Sequence, residues 1–286
     1  MLLYGFINSL TLALIALGFS ITFGISGVPN FAHGAFYVLG GLTTWILLTQ
    51  LGLPYVLSAV LAVLFLGAVG AVMYRLLLVR LRGLELSEVI STFAVGLVIL
   101  ELMRSLGVMG FQYRLPPFIR GSVEVFGTFV GYQRLIIIGA GVVLMALLHF
   151  FVHHTRLGLA FRGVAQDDHT AYMVGINRDR ISMLSLSVGS MVCSLAAILI
   201  LPLGTISVDS GYDILLKALA VCIIGGLEST TGVFAAAFII GYAEVLTAMY
   251  ISSSLTMVVP LVCMLLILLI RPSGLFGRHK ELEERI

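Results

Sequence analysis

A chain of 286 residues that is 60% hydrophobic and 10% charged lacks the polar surface of a soluble domain, in which about a quarter of residues are charged. A formal charge of +2, with no basic patch interleaved with aromatic residues, leaves no footprint for nucleic acid. Apolar runs of about 18 residues or more recur along the whole length, each able to cross ~30 Å of hydrocarbon as a helix. They do not alternate like the strands of a membrane barrel. The chain therefore reads as an all-α polytopic membrane protein, a single transmembrane domain over residues 1–286 whose surroundings are the lipid bilayer.

Spans are expected near residues 6–26, 31–50, 55–79, 86–108, 132–153, 181–202, 212–228, 231–250 and 255–270. That makes eight to nine membrane-embedded segments, some broken or re-entrant. The first follows MLLYGF, which lacks the basic start of a signal peptide and so reads as mature structure. No Asp, Glu, Lys or Arg occurs from Met1 to Tyr74, yet the second segment opens on the polar stretch GVPNFAHG. Pro29 lacks an N–H and disfavours a helix continuing through Val28. Asn30 can then cap a new helix starting near Phe31. A helix broken within a bilayer exposes backbone groups, which is tolerated only against protein or a water-filled cavity, as in many transporters. His33 is open to two roles, a hydrogen bond to a neighbouring helix or a place in a solute pathway. Gly34, Gly40 and Gly41 allow close backbone approach.

Glu101 and Arg104 are spaced for one helix face and read as a structural pair. Pro116, Pro117, Gly121 and Gly127 make the 109–131 loop a compact lobe. His149, His153 and His154 lie at a helix end without an HExxH pattern, which favours a dipole-complementing terminus over a metal site. From 155 to 180 runs the longest polar connection. Asp167 and Asp168 suit a helix start, Ala171 to Val174 its body, and Gly175 its C′ position ahead of Asn177. Such a short helix is either a connector or a knob that docks into a groove of another protein. In the seventh segment Lys217 stands four residues after Asp213, spaced to pair with it. Gly225 and Gly226 precede Glu228, and Glu244 lies in the next span. Ionisable groups at such depth are either functional or held at the membrane interface. Cys193, Cys222 and Cys263 are odd in number and form no CxxC, so they read as small buried hydrophobes, and no metal site is expected.

Arg75, Arg80 and Arg82, then Arg156, Arg162, Arg178 and Arg180, then Arg271, Arg278, Lys280 and Arg285 mark three basic segments. Placing them in the cytoplasm obeys the positive-inside rule. The N-terminus and the 109–131 loop then face outward, despite Arg114 and Arg120, and the 155–180 segment and the 271–286 tail face inward.

Four motifs occur in order. NFAHG, LGLAFRGVAQDDHTAYMVGINRDRI, LLKALAVCIIGGLESTTG and RPSGLFGR together resemble the LivH-type permease of branched-chain amino acid ABC importers. The resemblance covers nearly the whole chain. It implies a subunit of a bacterial-type inner-membrane importer that pairs with a second related permease, two ABC ATPases and an extracytoplasmic solute-binding protein. It also implies that Ala165, Gln166, Asp167, Asp168, Ala171, Gly175 and Asn177 belong to a coupling helix that engages an ATPase. Ala35, where many relatives are acidic, and Glu228, where they often have Gly, depart from that pattern. The solute class therefore stays open among branched-chain and other amino acids, urea and small organic acids.

The expected pathway residues are Asn30, His33, Gly34, Gly40, Gly41, Lys217, Gly225, Gly226, Glu228 and Glu244. No P-loop occurs, so ATP and Mg are expected on partner chains and no cofactor on this one. Neither a nucleophile elbow nor a metalloprotease motif is present, which argues against an enzyme. The alternative is an ion-coupled secondary transporter or channel working without ATPases, with His33, Glu228 and Glu244 carrying protons.

Overall fold

The computed structural model describes residues 2–27, 29–105, 115–119, 121–125, 128–204, 207–227 and 229–277. The sequence expectations for Glu228, for Arg114, Arg120 and Gly127, and for Arg278, Lys280 and Arg285 lie outside them. The chain is helical almost throughout. Helix α1 spans Leu2–Ser26 and α2 His33–Thr49. Helix α3, Tyr55–Met73, passes through a π turn at Tyr74–Leu78 into α4, Val79–Leu81. Helix α5 is Glu85–Met103, and α6 is Tyr132–His154. Helices α7 (Arg156–Gln166) and α8 (Asp168–Met173) lead into α9, Arg178–Ile200. Helices α10 (Ser210–Gly225), α11 (Thr230–Tyr250) and α12 (Val259–Ile270) complete the chain.

Among the described residues six helices are long and apolar enough to cross a membrane: Leu2–Ser26, Tyr55–Leu81, Leu86–Met103, Tyr132–His154, Arg178–Leu203 and Thr230–Tyr250. The protein is thus a multi-pass helical membrane protein. Helices α2, α10 and α12 are shorter.

Helices α1 and α9 form the centre. In each, 67% of the most apolar window is buried by protein, against 17% in α6, whose remaining apolar surface is left for lipid. The two halves are built alike. A long central helix (α1 or α9) is followed by a break, a short helix (α2 or α10) and an outer rod (α3 or α11). Each outer rod packs on the other half's centre, α3 on α9 and α11 on α1, while α2 touches α10.

Small residues set these approaches, as expected where helices pack without a hydrophobic driving force between them. A Cβ on Gly18 would lie 2.6 Å from the Gly189 carbonyl oxygen, and one on Gly189 would lie 2.6 Å from that of Gly18. A Cβ on Gly34 would overlap the Gly211 carbonyl, so the first turns of α2 and α10 meet backbone to backbone. Serines of α9 add polar ties. The Ser185 hydroxyl donates to the Ile21 carbonyl (3.1 Å), and that of Ser187 to the Gly67 carbonyl (2.9 Å).

Several expectations shift. Helix α2 starts at His33, two residues beyond the expected Phe31, because Asn30 closes a turn of its own before it. The last apolar segment becomes helical only at Val259, after a 3-10 turn at Ser253–Met257, where Pro260 fits the first turn of a helix. Residues 156–166 form a helix within the expected polar connection, and Ser122–Val125 pairs antiparallel with Thr128–Gly131 in a small hairpin. Its eight residues carry β-branched side chains on both strands.

Candidate functional site

The break before α2 is fully tied down. Asn30 Oδ1 accepts from the Ala32 N–H (3.0 Å), the Asn30 carbonyl accepts from the His33 N–H (3.1 Å), and the Phe31 N–H donates to Thr92 Oγ1 of α5 (3.2 Å). The His33 ring is 2% exposed. Its Nε2 lies 2.9 Å from the Ile15 carbonyl of α1, and Phe19 stands edge-on to it. The Cys193 thiol donates to the His33 carbonyl (3.3 Å). His33 therefore joins α1, α2 and α9.

The glycines singled out in the sequence lie on the same seams. Gly34 faces Gly211, Gly40 faces Ser194, Gly41 faces Leu201 and Gly225 faces Gly232. Gly226, at φ +97°, turns the chain from α10 towards α11, a conformation that costs other residues strain. None of these residues lines the two large cavities.

Those cavities, of about 450 and about 410 Å³, adjoin and share Asn8, Thr11, Leu203, Lys217 and Thr256. Lys217 and Glu244 are the sequence-identified residues that the structure brings together there. Lys217 Nζ lies 2.9 Å from Glu244 Oε1, and the Asn8 amide donates to Glu244 Oε2 (2.8 Å). This corrects the expected pairing of Lys217 with Asp213. The Glu244 side chain is only 5% exposed, and a carboxylate so enclosed needs a cation, which the long lysine stem supplies from the facing helix. Asp213, one turn before Lys217, lines the larger cavity and makes no ion pair among the described residues. Arg134 of α6 lies over the Tyr4 ring, 4.9 Å from its centroid, at the second cavity. Sequence reasoning missed Asn8, Thr11 and Arg134. Asn8 alone gave a signal, as an amide within a helix free of charge.

The other candidate region is the polar lobe of α7 and α8. Thr155 caps α7 by accepting from the Gly158 N–H (2.9 Å). Ala165 and Gln166 end that helix. Asp167 caps α8, whose first residue is Asp168, accepting from the N–H groups of His169 (2.9 Å) and Thr170 (3.3 Å) and from the Thr170 hydroxyl. Gly175, at φ +84°, ends the helix at the expected C′ position, with the Ile176 N–H donating to the Ala171 carbonyl (3.0 Å). Asn177 caps α9 by accepting from the Arg180 N–H (3.1 Å). Ala171 is buried against Phe161, Val164 and Ile181, whereas Tyr172, Met173 and Val174 are 73%, 87% and 73% exposed. Where α9 begins, Arg82 Nη1 lies 2.8 Å from Asp179 Oδ1, which also accepts from Tyr74 (3.4 Å), so this lobe is tied to the π turn and to the α4–α5 corner.

The bonds to Asp167, above all from the Thr170 hydroxyl, hold its carboxyl below the ordinary carboxylate value. A depressed folded-state pKa stabilises above the unfolded value and is lost as pH falls through the folded one. The cap is therefore expected to hold at neutral pH and to loosen only below about pH 4, the usual Asp range. Hydrogen exchange of the α8 amides, corrected for intrinsic rates, checks this, and Asp167→Ala should expose the same amides already at pH 7.

The other sequence candidates lie apart from both regions. Arg104 binds Glu101 and also Asp209, at 2.5 Å. His149 and His153 stack at the end of α6, and among the described residues no group of three His, Cys, Asp or Glu is placed to hold a metal.

Over residues 1–268 the chain matches the family model of the branched-chain amino acid transport system permease component. It is 29% identical over 283 residues, covering 94% of this chain and 92% of the relative, to the high-affinity branched-chain amino acid transport system permease protein LivH of Escherichia coli. It is also 29% identical over 282 residues, with the same coverage, to the corresponding BraD protein of Pseudomonas aeruginosa. Among solved structures it resembles PsaBC from Streptococcus pneumoniae in complex with Fab, at a TM-score of 0.52 over 98% of this chain and 94% of that one. At 13% identity that is a likeness of fold.

Proposed function

Since the chain belongs to the permease-component family of branched-chain amino acid transport systems, as a permease subunit of an ABC importer, we propose that it carries amino acids with branched aliphatic side chains. It moves them by alternating access driven by two partner ATPases, beside a second, related permease and an external solute-binding protein. It sits in the inner membrane with its N-terminus outside and the α7–α8 lobe in the cytoplasm. Helices α2, α10 and α12 add to the six long rods as embedded segments.

The observation that carries the coupling assignment is the knob on α8. Three consecutive apolar side chains, Tyr172, Met173 and Val174, stand exposed on a short helix amid polar chain. Apolar side chains so displayed fit a groove on another protein. Capping by Asp167 and Gly175 holds the knob rigid, and the Asp179–Arg82–Tyr74 ties supply a mechanical path from it into α3 and α5. ATPase closure would push α8, and the packed helices would switch between two arrangements as rigid bodies. Asn30, His33 and the seam glycines act in that switch as helix contacts, while Lys217 and Glu244 face the solute.

Replacing both Tyr172 and Met173 by Ala should cut ATP-driven uptake by about tenfold or more, the scale of losing a central interface anchor. Both side chains point away from the chain's own core, so its melting temperature in detergent should hold. Copurification from native membranes should bring down the second permease and two ATPases. Uptake that runs without ATP, on a proton gradient, would refute the reading.

A further inference from the structure

We infer that the double cavity between α1, α10 and α11 is a transit site for a zwitterion, gripping the ammonium at Asp213 and the carboxylate at Lys217, with an apolar wall for the side chain. The inference rests on the proposed amino-acid solute and names where on this chain it is read.

Three features carry it. First, an α-amino acid bears opposite charges on one carbon. Asp213 and Lys217 present opposite charges one helical turn apart on α10, and both line the same cavity. Second, the site has unspent capacity. Glu244 holds Lys217 as an ion pair at one carboxylate oxygen and accepts from Asn8 at the other, so its charge is already matched. The Lys217 ammonium has three N–H donors, and Glu244 Oε1 meets it as an ion pair without an aligned hydrogen bond, so those donors remain for a solute. Asp213, free of ion pairs among the described residues, is the acidic group left to hold a cation. The bridge to Glu244 also fixes the lysine head on a defined wall, which lowers the ordering cost of binding.

Third, the lining is divided. Asn8, Thr11, Ser210, Asp213, Lys217 and Thr256 are polar, while Leu12, Ile15, Leu201, Ile214 and Met257 are apolar. A volume of about 450 Å³ falls in the range of small-molecule sites, which pair apolar walls with a few placed polar groups. Arg134, in the adjoining cavity, puts a second cation on the same route. A solute without an ammonium group would leave Asp213 without a partner, and a monocarboxylate would also meet it as a like charge.

The test uses the assembled complex in proteoliposomes with its binding protein, ATP inside and L-[14C]leucine as solute. Asp213→Asn should slow uptake by about tenfold or more, the loss of one charge-assisted hydrogen bond, and Asp213→Glu should restore part of it. The double variant Lys217→Gln/Glu244→Gln, which removes both charges of the bridge together, should slow uptake to a similar degree. With wild type, excess 4-methylpentanoate, which lacks the ammonium, should not compete for the site. If Asp213→Asn and the double variant both import leucine within about twofold of wild type, below what one such bond provides, the inference is wrong and the permease reading stands. A wild-type complex that hydrolyses ATP but imports no α-amino acid would overturn both.

Discussion

Gly34→Val is expected to remove the protein from the membrane, leaving little monodisperse complex after extraction. A Cβ at Gly34 would overlap the Gly211 carbonyl, and its next neighbour is the Leu215 Cβ. Neither can yield by changing a rotamer, because one is backbone and the other is the first atom of a side chain. Adding volume to a packed core costs about 1–3 kcal/mol where side chains can shift, and more where they cannot. The displacement would also pass into α10, a helix packed against α2, α1 and α11. Gly139→Ala in α6 is the control, since nothing lies within 4 Å of its virtual Cβ. Melting of the detergent-purified protein, read by size-exclusion chromatography after heating, should separate the two. A Gly34→Val protein with wild-type thermal stability would mean that the α2–α10 seam is looser than its geometry.

The second large effect concerns the Lys217–Glu244 bridge. Lys217→Met leaves the Glu244 carboxylate, 5% exposed, without its cation. Removing one partner of a fully buried pair costs about 3–5 kcal/mol, and the 26% exposure of the Lys217 side chain puts this pair toward the low end, whereas replacing both by apolar groups of similar volume is often neutral. Lys217→Met alone should therefore melt far below wild type, and Lys217→Met/Glu244→Leu should recover most of the loss. Recovery of stability without recovery of leucine uptake would separate the bridge's structural part from its role in the cavity. If the single variant melts with wild type, the pair is hydrated and the cavity is wetter than the packing implies.

Much of this architecture was legible from residue type. Each apolar run became a helix, because a backbone in lipid must satisfy its own polar groups. Pro29 and Asn30 announced the break before α2, and Asp167 and Gly175 bracketed α8, since both signals act through local hydrogen bonds that need no knowledge of the fold. What stayed hidden was tertiary. The partner of Lys217 lies 27 residues along, on another helix, and the local i, i+4 rule favoured Asp213 instead. Asn8 comes to Glu244 from the opposite end of the chain, |i−j| = 236. The seam glycines could be read as sites of close approach, but only the fold says whether backbone or cavity lies opposite. The hairpin was missed because two four-residue strands are too short to stand out from a turn-rich loop.

The meeting of α2 and α10 at Gly34 and Gly211 has an electrical consequence. Every helix carries about half a positive charge at its N-terminus, and here two such ends are pressed together within the protein. A sodium ion or hydronium in that region would face both fields with little water to screen them. The seam thus adds an electrostatic barrier to its steric one, and a cation that enters the protein is left to the cavities lined by Asp213 and Glu244.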